Sequence, residues 1–121
     1  SYNMGDLYGR ITITNGTATE DTTVAGAILG SYTLTDEEGG LSVDFTPGSN
    51  TNNYYVLDGT DVKLTAAGEA FLDAGNVLPN ISLTTSDGVL ATNVVTTNLV
   101  NDVETLTITN GSAISAICNA S

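Results

Sequence analysis

The feature that most constrains this chain is a two-residue alternation of apolar and small polar side chains. In "AILGSYTLTD" the residues Ile28, Gly30, Tyr32 and Leu34 share one face, and in "LSVDFT" the same holds for Leu41, Val43 and Phe45. Successive side chains point to opposite faces only in extended strands, so this period specifies half-buried strands rather than helices, whose apolar residues recur about every 3.6 positions. Ile11 and Ile13 open the pattern, Ile81 and Leu83 continue it in "NISLTTSDG", and "VLATNVVTTNLV" reads as one long final strand.

Turn residues separate these runs. "YYVLDGTDVKL" holds two alternating stretches around Asp58-Gly59, where glycine accepts the positive φ of a tight hairpin. Ser86-Asp87-Gly88 marks another turn. One segment, "TAAGEAFLDAGN", has helical spacing, with Ala66, Ala70 and Phe71 on one face and Gly75 placed to close the last turn in left-handed geometry. Seven short strands with turn signals between them predict a single antiparallel β-sandwich of immunoglobulin-like size with one short helical turn.

The chain has 121 residues, one domain's worth, and carries 14 Asp and Glu against only Lys63 and Arg10, for a formal charge of −12. That field repels nucleic acid phosphates and anionic lipid heads. With no His and a single Cys, Cys118, the chain has no imidazole base, no thiolate zinc set and no internal disulfide. A non-catalytic role is expected. No apolar run approaches the roughly 20 residues of a membrane helix, and "SYNMGDLYGR" has neither the basic start nor the apolar stretch of a signal peptide. The expectation is a soluble chain, either mature or cut from something longer.

Strand parity sorts the acids. If the first strand runs downward, the turn with Glu20 and Asp21 lies at the lower end, with the helical connection bearing Glu69 and Asp73 and the exit "VNDVE" with Asn101, Asp102 and Glu104. "DEEGG" (Asp36, Glu37, Glu38), the hairpin with Asp58 and Asp61, and the turn with Asp87 lie at the upper end. Crowded carboxylates repel unless a cation intervenes, and two basic residues are too few to supply it. Calcium suits such loops because it takes six to eight hard oxygen ligands in flexible geometry, whereas magnesium demands a stricter octahedron. Acidic loops also serve solubility alone.

The stretches "ATEDTTVAGAILGSYTLTDEEGGLSVDF", "YYVLDGTDVKLTAAGEAFLDAGNVLPNISLTTSDG" and "NLVND" resemble the cadherin-like and immunoglobulin-like tandem repeats of large bacterial repeats-in-toxin surface adhesins. The likeness covers roughly residues 10 to 105. It implies a seven-stranded Greek-key β-sandwich over residues 10–102, preceded by a linker at 1–9 and followed at 103–121 by the start of another module or an exchangeable strand. It implies further an extracellular, cell-surface extender strung with neighbouring copies of itself and stiffened by calcium where modules meet. By that likeness Glu20, Asn101 and Asp102 belong to the lower junction, and Asp36, Glu38 and Asp87 to the upper. Glu38 stands where an Asp is usual, "MGDLYG" lacks the full Asn-Asp linker, and "VNDVE" lacks the usual proline.

"ITITNG" at residues 11–16 returns as "LTITNG" at 106–111, an offset of 95 residues that aligns Ile11 and Ile13 with Leu106 and Ile108. Two readings follow. The second copy begins a following module, or it is a donor strand that fills the place of the first in another subunit and builds a head-to-tail filament. A carbohydrate-binding module is a third class, resting on Tyr54 and Tyr55 beside "PGSNTNN" and on Tyr2 and Tyr8, although alternation assigns one of each pair to the core.

Overall fold

The computed structural model of the chain describes residues 10–36 and 39–100. Among them, in order, are β1 (Arg10–Ile13), β2 (Gly16–Thr19), β3 (Ile28–Thr35), β4 (Val43–Phe45), β5 (Tyr55–Asp58), β6 (Asp61–Leu64), α1 (Ala66–Asp73), β7 (Ile81–Thr85), β8 (Leu90–Asn93) and β9 (Val95–Asn98). An antiparallel four-stranded sheet has the order β1-β3-β6-β5, an antiparallel three-stranded sheet has β4-β7-β8, and β2 pairs with β9. Ile11, Leu29, Val62 and Leu64 of the first sheet meet Ile81 and Leu83 of the second in one buried cluster. Ala18 and Val95 enter it from the β2-β9 pair, and Leu72 and Leu78 from α1 and the segment after it. The chain is thus all-β with one short helix, arranged as layers around a single core.

Among the described residues nine strands stand where seven were expected, because two runs are each interrupted. Thr14 and Asn15 separate β1 from β2, and Val94 separates β8 from β9. The two breaks are tied to each other. The buried Asn93 side chain accepts the Ile81 N–H at 3.2 Å and donates to the Thr14 carbonyl, while Asn15 Oδ1 accepts the Val94 N–H at 3.2 Å. Asparagine amides here replace ladder bonds where both runs leave one sheet and join another. Beyond the breaks, β2 and β9 run parallel, with Gly16 opposite Val95 and Thr19 opposite Asn98, which the purely antiparallel expectation did not contain. Gly16 is required at this crossing. A Cβ built there would lie 2.6 Å from the Leu29 carbonyl carbon.

A second departure lies in β3. The ladder to β6 slips between Ile28 and Gly30, and this β-bulge puts the neighbours Leu29 and Gly30 both inside while Ile28 is 55% exposed. Alternation had assigned Ile28 to the inner face. Beyond the bulge Tyr32 and Leu34 pack against the core as expected.

The hairpin forms as read, with Asp58 opposite Asp61 and Gly59 at φ +61, the glycine-first geometry of a two-residue primed turn. Helix α1 is capped by Thr65, whose Oγ1 accepts the Gly68 N–H at 3.1 Å, and Gly75 at φ +91 follows its end. Its inner face is Gly68 and Leu72, four residues apart, while Ala66 and Ala70 are exposed. Phe71 stacks on Tyr54 with ring centroids 4.3 Å apart, which fixes the helix against the β4–β5 loop. No helix among the described residues is long and apolar enough to cross a membrane.

Candidate functional site

Strands β2, β6 and β9 all end at the lower pole, where β3 and β7 begin, and α1 lies across that end. The turn after β2 places Glu20 with only 5% of its surface exposed. Its N–H donates to the Asn98 carbonyl at 2.8 Å, and its carboxylate Oε1 accepts the Val100 N–H at 2.9 Å. Glu20 therefore holds the outgoing chain with both its backbone and its side chain. Asp21, at φ +65, adopts the left-handed conformation that Asp tolerates better than most residues.

Two further carboxylates arrive from α1. Asp73 Oδ1 accepts the Asp21 N–H at 2.9 Å, and Glu69 Oε1 accepts the Ala25 N–H at 2.7 Å. Glu69 and Asp73 are four residues apart and so project from one side of the helix. Charge-assisted bonds of this kind run about twice as strong as neutral ones. The turn after β2, the helix and the exit from β9 are thereby joined by three carboxylates. Each spends one oxygen on a backbone N–H, which leaves the second as a hard donor. Parity places Glu69 and Asp73 at this end, but the resemblance names neither as a site residue. Their four-residue spacing on a helical segment was the available signal.

The upper pole is built differently. Asp36 Oδ2 accepts the Leu41 N–H at 2.9 Å and closes its own loop, and Asp87 accepts the Thr85 hydroxyl two residues away. The two loops meet through serines, with Ser42 N–H to Ser86 Oγ at 3.1 Å and Ser86 N–H to the Ser42 carbonyl at 2.9 Å. In the hairpin, Lys63 Nζ lies 2.5 Å from Asp58 Oδ2, which holds the Asp58 carboxyl below its ordinary range and the lysine above its own. Across from it, Ser31 Oγ donates to Asp61 Oδ1 at 2.6 Å.

Of the residues expected to bind calcium, Glu20 lies at the lower pole and Asp36 and Asp87 on adjoining loops of the upper one. Glu38, Asn101 and Asp102 lie outside the described residues, as do the segments 1–9 and 103–121 with Leu106 and Ile108. Ile11 is buried and Ile13 packs against the core, opposite Leu34 and Tyr32 of β3. Among the described residues no three acidic or cysteine side chains are close enough to share a metal ion.

The tyrosines beside the β4–β5 loop are structural. Tyr55 is buried, its hydroxyl donates to the Pro79 carbonyl at 2.5 Å, and burial pushes the phenol well above its ordinary value. Tyr54 is committed to Phe71. A groove of about 290 Å³ does open along this loop, but Asp44, Thr46, Asn50 and Asn53 line it with Phe45 as its one aromatic. No protein-family model matches the chain, and a search of curated proteins finds no match.

Proposed function

We propose that this chain is a non-catalytic extender module of an extracellular, bacterial surface protein, stiffened by calcium at the pole through which it joins the next segment. In this reading the fold is a seven-stranded Greek-key sandwich of cadherin-like type, with β1 and β2 as one interrupted strand and β8 and β9 as another. The observation that carries the proposal is the seating of Glu20, a nearly buried carboxylate that grips the Val100 N–H immediately before Asn101 and Asp102. Glu20, Asn101 and Asp102 would hold the ion with oxygen donors alone, the set that calcium prefers. Calcium would supply charge neutralisation and a fixed exit angle. Asp36, Glu38 and Asp87 would form a second site at the upper pole, completed by a preceding module.

Melting the full chain with calcium and with chelator tests the proposal. At a calcium concentration about 100-fold above Kd the bound form gains about 2.7 kcal/mol, which raises the melting temperature by roughly 10 °C in a domain of this size. An unchanged melting temperature at calcium concentrations of about 10 mM, above the range of extracellular modules, would remove calcium from the account.

A further inference from the structure

The path of β1 and β2 gives meaning to the duplicated strand. These ten residues, 10–19, fill a slot bounded by β3 on one side and β9 on the other, and the slot is selective along its length. It buries Ile11 and Ala18, packs Ile13 against the core, and uses Thr14 twice, since its N–H donates to the Ser31 carbonyl at 3.0 Å and its Oγ1 accepts the Ser31 N–H at 3.0 Å. It uses the Asn15 amide on Val94 and excludes any side chain at Gly16.

Residues 106–113, "LTITNGSA", meet all of these demands. Leu106 and Ile108 replace Ile11 and Ile13, Thr109 and Asn110 repeat the hydrogen-bonding pair, Gly111 repeats the glycine, and Ala113 repeats the buried alanine. Within the slot the likeness fails only at the two ends, where Thr105 stands for Arg10 and Ile114 for Thr19, and just beyond it Ser115 stands for Glu20. What is duplicated is the part that packs, without the carboxylate of the lower pole.

A chain cannot seat this segment in its own slot. Because β2 and β9 run parallel and Val100 is bonded to Glu20, the tail starts from the finishing end of the slot. Laying residue 105 at the position of Arg10 means travelling back along ten strand residues, about 30 Å at roughly 3.3 Å per step. The five steps from Val100 to Thr105 reach at most about 18 Å. Only a second molecule can present its tail to the slot.

We propose that residues 105–113 of one copy replace β1–β2 in a second copy of this chain. The donor tail leaves the lower pole of the first copy and enters the second at the upper pole, where β1 begins. The contact is heterologous and does not close, so it propagates into a linear, head-to-tail assembly. The resident β1–β2 competes at high effective concentration, and exchange therefore dominates where that segment is weakened. The contacts between tail and slot call on no cation, so association is measured in chelator as well as in calcium. This separates its failure from failure of the calcium reading.

The test uses full-length variants. Gly16→Val prevents the resident segment from seating while leaving the tail intact, Gly111→Val spoils only the tail, and the double variant spoils both. The expected result is that Gly16→Val folds in a concentration-dependent way, melting higher at tenfold greater concentration and eluting as dimers and longer species. Gly111→Val stays a folded monomer and the double variant stays unfolded at every concentration. A peptide of residues 103–115 added to Gly16→Val is the second measurement, and recovery of the native β signal with it supports the proposal even where assemblies are short. A Gly16→Val chain that neither associates nor responds to the peptide, or that folds as a concentration-independent monomer, would overturn it.

Discussion

The two poles carry the same kind of residue and use it to different extents in joining separate elements. At the lower pole three carboxylates reach distant parts of the chain: Asp73 holds Asp21, 52 residues away, Glu69 holds Ala25, 44 away, and Glu20 holds Val100, 80 away. At the upper pole Asp36 bonds to Leu41 and Asp87 to Thr85, five and two residues away, Asp61 accepts from Ser31, 30 away, and serines join the loops. An acid that bridges elements fixes their relative position, whereas one that closes its own turn fixes only that turn. The lower pole is therefore the end at which carboxylates tie the turn after β2, α1 and the exit from β9 together.

The comparison breaks first at Leu72, which is fully buried under the helix that delivers Glu69 and Asp73. Leu72→Ala removes that anchor and should cost about 2–5 kcal/mol in urea unfolding. Amide exchange at Asp21 and Ala25 should accelerate more than at Leu41. Next, Glu20→Ala leaves the Val100 N–H without its carboxylate and should cost about 1–3 kcal/mol, against about 0.5–1.5 kcal/mol for Asp36→Ala in its half-buried loop. Equal costs would remove the distinction between the poles. Tyr55→Phe gives up the bond to the Pro79 carbonyl and should cost about 1 kcal/mol by the same measurement.

The smallest effect is on pH dependence. Tyr55 is raised above its ordinary value of 10.0 by burial, so the unfolded chain releases that proton first and stability falls as pH rises above about 10. Lys63, raised above 10.5 by its bond to Asp58, adds to the same alkaline loss. Asp58 is lowered below 3.8 by Lys63, and its contribution is present above that value and lost as pH falls through the folded pKa. Denaturant midpoints measured from pH 3 to pH 11 should therefore decline at both extremes. Lys63→Met should flatten the acid limb slightly without altering the lower pole.

Much of this architecture is written locally. The hairpin at Asp58-Gly59, the turn at Ser86-Asp87-Gly88 and the stop at Gly75 follow from single residues that favour one backbone geometry, and parity then places the acids at their poles. The bulge at Leu29 was not legible, because alternation is a property of regular strands and the slip is set by where β6 pairs. Nor were the breaks at Asn15 and Val94 legible, since their cause is a set of amide bonds between residues 79 positions apart. The roles of Glu69 and Asp73 depend on a helix face that the alanines obscured. Ala66 and Ala70 suggest the apolar side, but Gly68 and Leu72 are the residues that dock.

The most direct test of the lower pole as a calcium-stiffened junction is a calcium titration of the full chain followed by backbone amide resonances. The amides of Asp21, Ala25 and Val100 each bond to one of the three carboxylates there. Because the proposed ion is held at Glu20, the Val100 amide should shift and saturate with a single Kd in the submillimolar to millimolar range of extracellular calcium modules, while those of Asp21 and Ala25 report on the neighbouring carboxylates. In Glu20→Gln the shift at Val100 should be lost. Saturable shifts confined to other parts of the molecule, or none at Val100, would contradict the account.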